Sequence, residues 1–249
     1  MLDLSVIIIC KNEERVIEKT LRSVYGWAKE IIVLDSGSTD ATVDISNKYT
    51  DHVYVTDWPG YGIQKNRAID KAACKWVLSI DADEVVSENL KSEISSVLAT
   101  ESDYNGYKIP VRLYYFKKYI RSLLKRYTVI LFKKEHGRFI ESSVHERLEV
   151  KGKIRKLRSH IFHDSYDSLF HQLTKLNTYA ELWAREQNEK GNSSSLITAF
   201  SHSVAMFLKD IIMYGAIFDG WRGVLLSYVH AQYTFNKYAI LKSLKSLDS

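Results

Sequence analysis

Four short aliphatic runs set the frame of this chain: Leu4 to Cys10, Ile31 to Asp35, His52 to Thr56 and Trp76 to Ile80. Each has the length of one strand, and helix-like stretches fall between them at Glu13 to Tyr25, Asp40 to Tyr49 and Gln64 to Ala73. The order reads β-α-β-α-β-α-β. Such alternation predicts an α/β fold built on a mainly parallel, Rossmann-like sheet.

Parallel sheets bind ligands in the crevice beyond the carboxyl ends of their strands. Those ends carry Lys11-Asn12-Glu13, Asp35-Ser36-Gly37-Ser38-Thr39-Asp40, Asp57-Trp58-Pro59-Gly60 and Asp81-Ala82-Asp83-Glu84. One rim therefore holds the chemistry. Carboxylates at the exposed end of a buried strand make a hard-oxygen site for a divalent cation, and such a cation holds a diphosphate. The Asp81 cluster thus points to nucleotide-sugar chemistry. The plain alternative is a pair of solvated carboxylates capping a helix that begins near Ser87.

At 249 residues the chain is long enough for one domain, or for a domain with an appendage. The net charge of +5 conceals blocks. Residues 1 to 105 hold 11 Lys/Arg against 18 Asp/Glu, a net −7, whereas residues 106 to 158 hold 16 against 4, a net +12. A basic middle segment beside an acidic one suits a phosphorylated acceptor or an anionic lipid surface, or is simply a solvated hairpin region. Its tyrosines form no RNA-binding motif, so no nucleic acid is expected. Cys10 and Cys74 read as free core thiols and imply a reducing cytosol. The first apolar run ends at Lys11, too short for a secretory signal. Lys209, Asp210, Asp219 and Arg222 interrupt the C-terminal apolar stretches, so no membrane crossing is expected.

Four segments together resemble the successive motifs of family 2 glycosyltransferases: Leu4 to Glu14, Glu30 to Asp40, Gly62-Ile63-Gln64-Lys65-Asn66-Arg67-Ala68, and Asp81-Ala82-Asp83-Glu84. Val144-His145-Glu146-Arg147 and Phe218-Asp219-Gly220-Trp221 are similar to the lipopolysaccharide-core β-glucosyltransferase branch. The resemblance implies a GT-A nucleotide-diphospho-sugar transferase fold, Mg²⁺ or Mn²⁺ as cofactor, and inversion at the anomeric carbon. It implies Asp83 as a direct metal ligand and Asp81 on the ribose or on the metal through water. It places Lys11, Asn12 and Glu13 at the nucleoside and Asp35 at the uracil or ribose, although Ser36 stands where many members carry a second Asp. Of Lys65 and Arg67, Arg67 is preferred at the phosphates, because a guanidinium offers paired donors. The alternative for Arg67 is a helix-surface ion pair with Asp70.

An inverting transfer needs a base to take the acceptor hydroxyl's proton as its oxygen attacks opposite the leaving diphosphate. Glu146 is the candidate base, with Glu141 and Glu149 nearby. His145 is the candidate for completing the metal shell, with His160 and His163 ranked below it. Both Glu146 and His145 serve one site only if their strand ends or twists there.

The C-terminal third predicts helices over Ser168 to Lys190, Ser195 or Leu196 to Tyr214, and Trp221 to Leu244, with Gly191-Asn192 as a stop signal and Asp219-Gly220 as a turn. The expected domains are a catalytic domain over 1–165, split at 105 into nucleotide-sugar and acceptor-side parts, and a helical extension over 166–249. The aromatic and aliphatic residues of that extension suit a membrane interface, or else a packed core. The expected partners are a nucleotide-sugar donor, foremost a UDP-hexose, and a lipid-linked or lipopolysaccharide-type glycan acceptor, with the protein peripheral on the inner face of the bacterial cytoplasmic membrane. A non-catalytic nucleotide-sugar-binding scaffold is the alternative. A dinucleotide-dependent oxidoreductase is disfavoured, because Cys10-Lys11-Asn12-Glu13 supplies no glycine-rich turn.

Overall fold

The computed structural model describes residues 1–100, 102–116, 118–122, 126–140, 147–163 and 168–247. His145, Glu146 and Glu141 lie outside the described residues. In chain order the elements of the first half are β1 (Leu2–Cys10), α1 (Ile17–Val24), β2 (Ala28–Asp35), α2 (Thr42–Ser46), β3 (Val53–Val55), α3 (Tyr61–Lys71), β4 (Trp76–Asp81), β5 (Glu84–Val86) and α4 (Glu88–Ala99). Then come β6 (Tyr104–Tyr115), β7 (Lys118–Tyr119), β8 (Arg126–Lys133), β9 (Gly137–Ile140), β10 (Arg147–Val150), β11 (Lys153–Lys156), β12 (Ile161–His163), α5 (Leu169–Glu189), α6 (Leu196–Leu208) and α7 (Trp221–Leu247).

The chain divides into two compact units, residues 1–112 with 126–164, and residues 113–125 with 165–249. The main sheet runs β3-β2-β1-β4-β8-β6-β12-β5. Its first four strands are parallel. From β8 onward antiparallel pairing predominates, with β8 against β4 and β6, and β12 against β5, while β11 joins β6 in parallel. The mainly parallel α/β sheet is therefore as expected, and its antiparallel flank is an addition that short strands did not announce.

Burial explains the parallel half. Along β1, Leu4, Val6 and Ile8 join a core layer with Ile17 and Leu21 of α1 and with Leu90 and Ile94 of α4. Ile7 and Ile9 join the opposite layer with Ala68 and Ile69 of α3 and with Phe132 and Phe139. Successive side chains point to opposite faces, so a strand covered on both sides is apolar nearly throughout, and the buried exception in β1, Ser5, places its hydroxyl on Glu30. The chain runs from β1 out to β3, then returns through α3 to β4 on the other side of β1. That reversal opens a crevice at the carboxyl ends of β1 and β4.

In the second unit α5 and α6 pack on α7. Ser168 and Ser195 cap α5 and α6 by accepting from the His171 and Thr198 N–H groups. Gly191 takes a left-handed φ of 78°, as its stop signal predicts. Asp219 accepts from the backbone N–H groups of Arg121 (3.0 Å) and Ser122 (2.9 Å) and from the Ser122 hydroxyl. Trp221 lies against Phe116, ring centroids 5.7 Å apart. The Phe218-Asp219-Gly220-Trp221 signature thus ties the start of α7 to the 116–122 segment. Among the described residues one helical stretch, Leu196–Met213, is long and apolar enough by length and composition to cross a bilayer, with mean hydropathy 1.4; Lys209 and Asp210 fall near its end.

Candidate active site

The carboxyl ends of β1, β2 and β4 lie side by side. Cys10 pairs in register with Asp35, and Ile9 with Asp81. Asp35 and Asp81 therefore flank β1 at about 10 Å, two strand spacings.

Asp81 closes β4, Ala82 and Asp83 make a turn, and Glu84 opens β5. Helix α1 fixes that turn: Thr20 Oγ1 donates to the Ala82 carbonyl at 2.7 Å, and Ser23 Oγ accepts from the Val86 N–H at 3.1 Å. Glu84 Oε2 accepts from the Asp81 N–H at 3.0 Å. From α3, the nearly buried Lys65 places Nζ 2.9 Å from Asp81 Oδ1. From β12, whose His163 stands opposite Glu84, Nε2 reaches 3.0 Å from Asp83 Oδ2.

Three carboxylates in four residues disturb each other's charge. Burial, and next the charge of Asp81, push the Glu84 carboxyl up to about 8. For His163 burial works toward the neutral ring, but the hydrogen bond and charge of Asp83, with Glu84 and Asp81 behind it, prevail and raise it to about 9. At neutral pH Glu84 therefore keeps its proton, and Lys65 and the His163 imidazolium stand against the carboxylates of Asp81 and Asp83. Among the described residues no group of three or more His, Cys, Asp and Glu side chains is arranged by itself to hold a metal ion. The donor chemistry nevertheless fits a divalent cation, because the Asp83 carboxylate and the His163 ring adjoin, and an ion there would take the place of the proton that His163 otherwise carries.

The other expected residues distribute as follows. Lys11 is exposed beyond β1. Asn12, at a positive φ of 56°, donates its N–H to Ser38 Oγ at 2.7 Å and accepts from the Thr39 N–H at 2.8 Å. The Glu13 N–H donates to Thr42 Oγ1 at 2.8 Å. These bonds zip the first loop to the second. Asp35 is fully buried; Oδ1 accepts from the Gly37 and Ser38 N–H groups at 2.9 and 2.7 Å, and Oδ2 from the Ser38 hydroxyl. Its carboxylate shapes the loop that it opens.

In α3 the cation inside the cluster is Lys65, whereas Arg67 donates to Asp57 Oδ1 at 2.7 Å. Asp70, the expected partner of Arg67, pairs instead with Arg138 at 2.6 Å. Positions two apart on a helix point about 200° apart, so Lys65 and Arg67 cannot serve one face. The neighbouring motif residues Gln64 and Asn66 bind the surrounding structure. Gln64 donates to Ser36 Oγ (3.0 Å) and Thr56 Oγ1 (2.7 Å), and Asn66 exchanges two hydrogen bonds of 2.9 Å with the backbone of Phe139.

Sequence alone underrates two residues of this site, Glu84 and His163. Glu84 reads as one more loop acid, and its burial depends on β12 pairing with β5. His163 ranks below His145 until that three-residue strand carries it beside Asp83. The signal available for it was a histidine closing the apolar pair Ile161-Phe162.

The sequence profile described as Glycosyl transferase family 2 matches residues 5–150. An uncharacterized glycosyltransferase of Rickettsia typhi is 30% identical over 98% of this chain and 88% of its own length. This chain belongs to glycosyltransferase family 2. The glycosyltransferase is also 29% identical to the lipopolysaccharide core biosynthesis glycosyltransferase LpsC of Rhizobium meliloti, over 98% of this chain and 92% of LpsC. Among solved structures, glucosyl-3-phosphoglycerate synthase of Mycobacterium tuberculosis in complex with Mn²⁺ and UDP-glucose is 27% identical over 44% of this chain and 43% of that one, with a TM-score of 0.39.

Proposed function

We propose that this glycosyltransferase moves a hexose, glucose from UDP-glucose in the most specific form of the reading, onto a lipopolysaccharide-core or other cell-envelope glycan, with inversion at the anomeric carbon. The observation that carries it is the cluster after β4, where Lys65, Asp81, Asp83, Glu84 and His163 converge at the mouth of a parallel sheet in a family 2 chain. The likeness to LpsC along nearly the whole chain favours the envelope acceptor.

Each residue has a part in that reading. Asp83 and His163 would hold a Mg²⁺ or Mn²⁺ ion, which would supply positive charge beside the diphosphate. Lys65 holds Asp81 in place to meet the ribose. Lys11 extends from the first loop toward the nucleotide. Asn12, Glu13 and Asp35 hold the two loops that receive the nucleoside, and Arg67 is a second cation beside them. Glu146 accepts the proton of the acceptor hydroxyl while that oxygen bonds to the anomeric carbon and the bond to the diphosphate oxygen breaks. A lipid-linked acceptor brings the enzyme to the cytoplasmic face of the membrane as a peripheral protein.

Release of UDP from UDP-glucose, measured with and without an envelope-glycan acceptor, tests this. Acceptor-dependent release supports the reading, and Glu146→Gln should suppress it while leaving donor binding nearly intact. Equal turnover by Glu146→Gln and the parent contradicts the assignment of the base.

A further inference from the structure

Helix α6 is apolar on both sides. Its inner side meets α7 through the buried Ala199 and through Ser203 Oγ, which donates to the Ala231 carbonyl at 2.9 Å. The outer side carries Leu196, Phe200, Val204 and Leu208, four residues apart and all exposed, with Ile197 82% exposed beside them. An outward stripe on a protein helix facing water is ordinarily polar. Past α6 a helical turn, Lys209–Met213, exposes Ile212 and Met213, and the corner after it exposes Phe218 (91%) and Trp221 (58%).

Charge says what covers this face. Between Leu196 and Tyr228 there are two acids and two bases. Both acids are turned to the protein: Asp210 is buried with Oδ2 2.8 Å from His230 Nδ1, and Asp219 accepts from Arg121 and Ser122. The bases are Lys209, whose Nζ lies 5.4 Å from the centre of the Tyr214 ring, and Arg222, which lies 4.5 Å over Trp221. Aromatic rings carrying cations at the edge of an aliphatic stripe match the boundary between acyl chains and phosphate headgroups. A second copy of this chain would meet that pair of cations with the same pair, with no acid offered in return.

We infer that the outer stripe of α6 and the 212–221 corner form a docking surface for an anionic lipid bilayer, lying in the interface with Lys209 and Arg222 at headgroup depth. This deepens the peripheral-membrane reading above by naming the surface. Attraction to anionic headgroups adds to the burial of the apolar face.

The test is flotation of the full chain with vesicles of phosphatidylcholine alone and of phosphatidylcholine with phosphatidylglycerol. A triple variant, Ile212→Ser, Met213→Ser and Phe218→Ser, removes exposed apolar groups only, and Lys209→Glu reverses one charge. The parent should float with the anionic vesicles and more weakly with the neutral ones, and the triple variant should lose about tenfold or more in partition. Lys209→Glu should narrow the difference between the two vesicle types. Thermal unfolding of both variants should match the parent. Absence of parent binding to anionic vesicles, or parent-like binding by the triple variant, overturns the proposal. So does a parent dimer in sedimentation that the triple variant dissolves while vesicles capture neither protein. UDP release with a water-soluble acceptor, measured without vesicles, separates the two readings: the parent and the triple variant should agree there, and loss of transfer in both would contradict the sugar-transfer reading alone.

Discussion

At residue 65 the fold withdraws an ammonium group from water and sets it against a half-exposed carboxylate. The arrangement is stable because the Asp81 and Asp83 carboxylates share one turn with the buried Glu84 and need a counter-charge. Lys65→Met should cost about 1–3 kcal/mol in denaturant unfolding, less than a fully buried pair because Asp81 keeps contact with solvent. It should also lower UDP release more than tenfold; an unfolding midpoint and rate like the parent's would contradict the role of Lys65. At residue 219 the sign of the pH effect follows from the site. Burial raises that carboxyl, but hydrogen bonds from the Ser122 hydroxyl and from the Arg121 and Ser122 N–H groups outweigh it and hold Asp219 below the ordinary range. A group depressed on folding adds stability above its unfolded pKa, and that stability is lost as pH falls through the folded value. Asp219→Asn should therefore lower neutral-pH stability by about 1 kcal/mol, allowing for partial exposure, and flatten the acid side of the stability profile. Melting temperatures across an acid-to-neutral series check both. The Asp81 cluster was visible in the sequence because acids directly after an aliphatic run are conspicuous. Glu84 and His163 were not, since their environment comes from a contact made nearly eighty residues apart.

At the scale of elements, β1, β2 and β4 were legible because burial on both faces demands continuous apolar runs, and α3 because its motif fixes both faces at once. The motif did not reveal which of its cations turns inward, a matter of helical phase relative to Asp81. Strands β5, β7 and β12 have two or three residues each, too few for a period to register. The corner before α7 depends on one close approach. A Cβ on Gly223 would meet the Ala216 carbonyl oxygen at 1.9 Å, where backbone must give way. Gly223→Ala should destabilise the helical unit by about 1–3 kcal/mol, read as an earlier loss of helical circular dichroism on heating. Melting at the parental temperature would show that the corner relaxes freely.

Across the whole molecule the family was legible in the first hundred residues, where four motifs fall at four successive strand ends or helices. The second unit was harder to read, because apolar helix stripes in a sequence describe a core and a membrane interface equally well, and side-chain exposure is not written there. The basic block resolves in part into β11, where Lys153, Ile154, Arg155 and Lys156 are all exposed. What joins the acidic loop to sugar transfer is the need for positive charge beside a leaving diphosphate. UDP-glucose should raise the melting temperature together with Mn²⁺ or Mg²⁺ and much less alone, by mass action on the folded state. Equal stabilisation with and without the ion would argue for a donor site independent of metal.

The most direct measurement is the rate of acceptor-dependent UDP release from UDP-glucose by the parent and by Asp83→Asn, each before and after removal of divalent ions with a chelator and after their return. Transfer by the parent should stop on chelation and resume with Mn²⁺ or Mg²⁺, while Asp83→Asn should stay inactive in every condition. Undiminished transfer by the chelated parent, or by Asp83→Asn, would contradict the account.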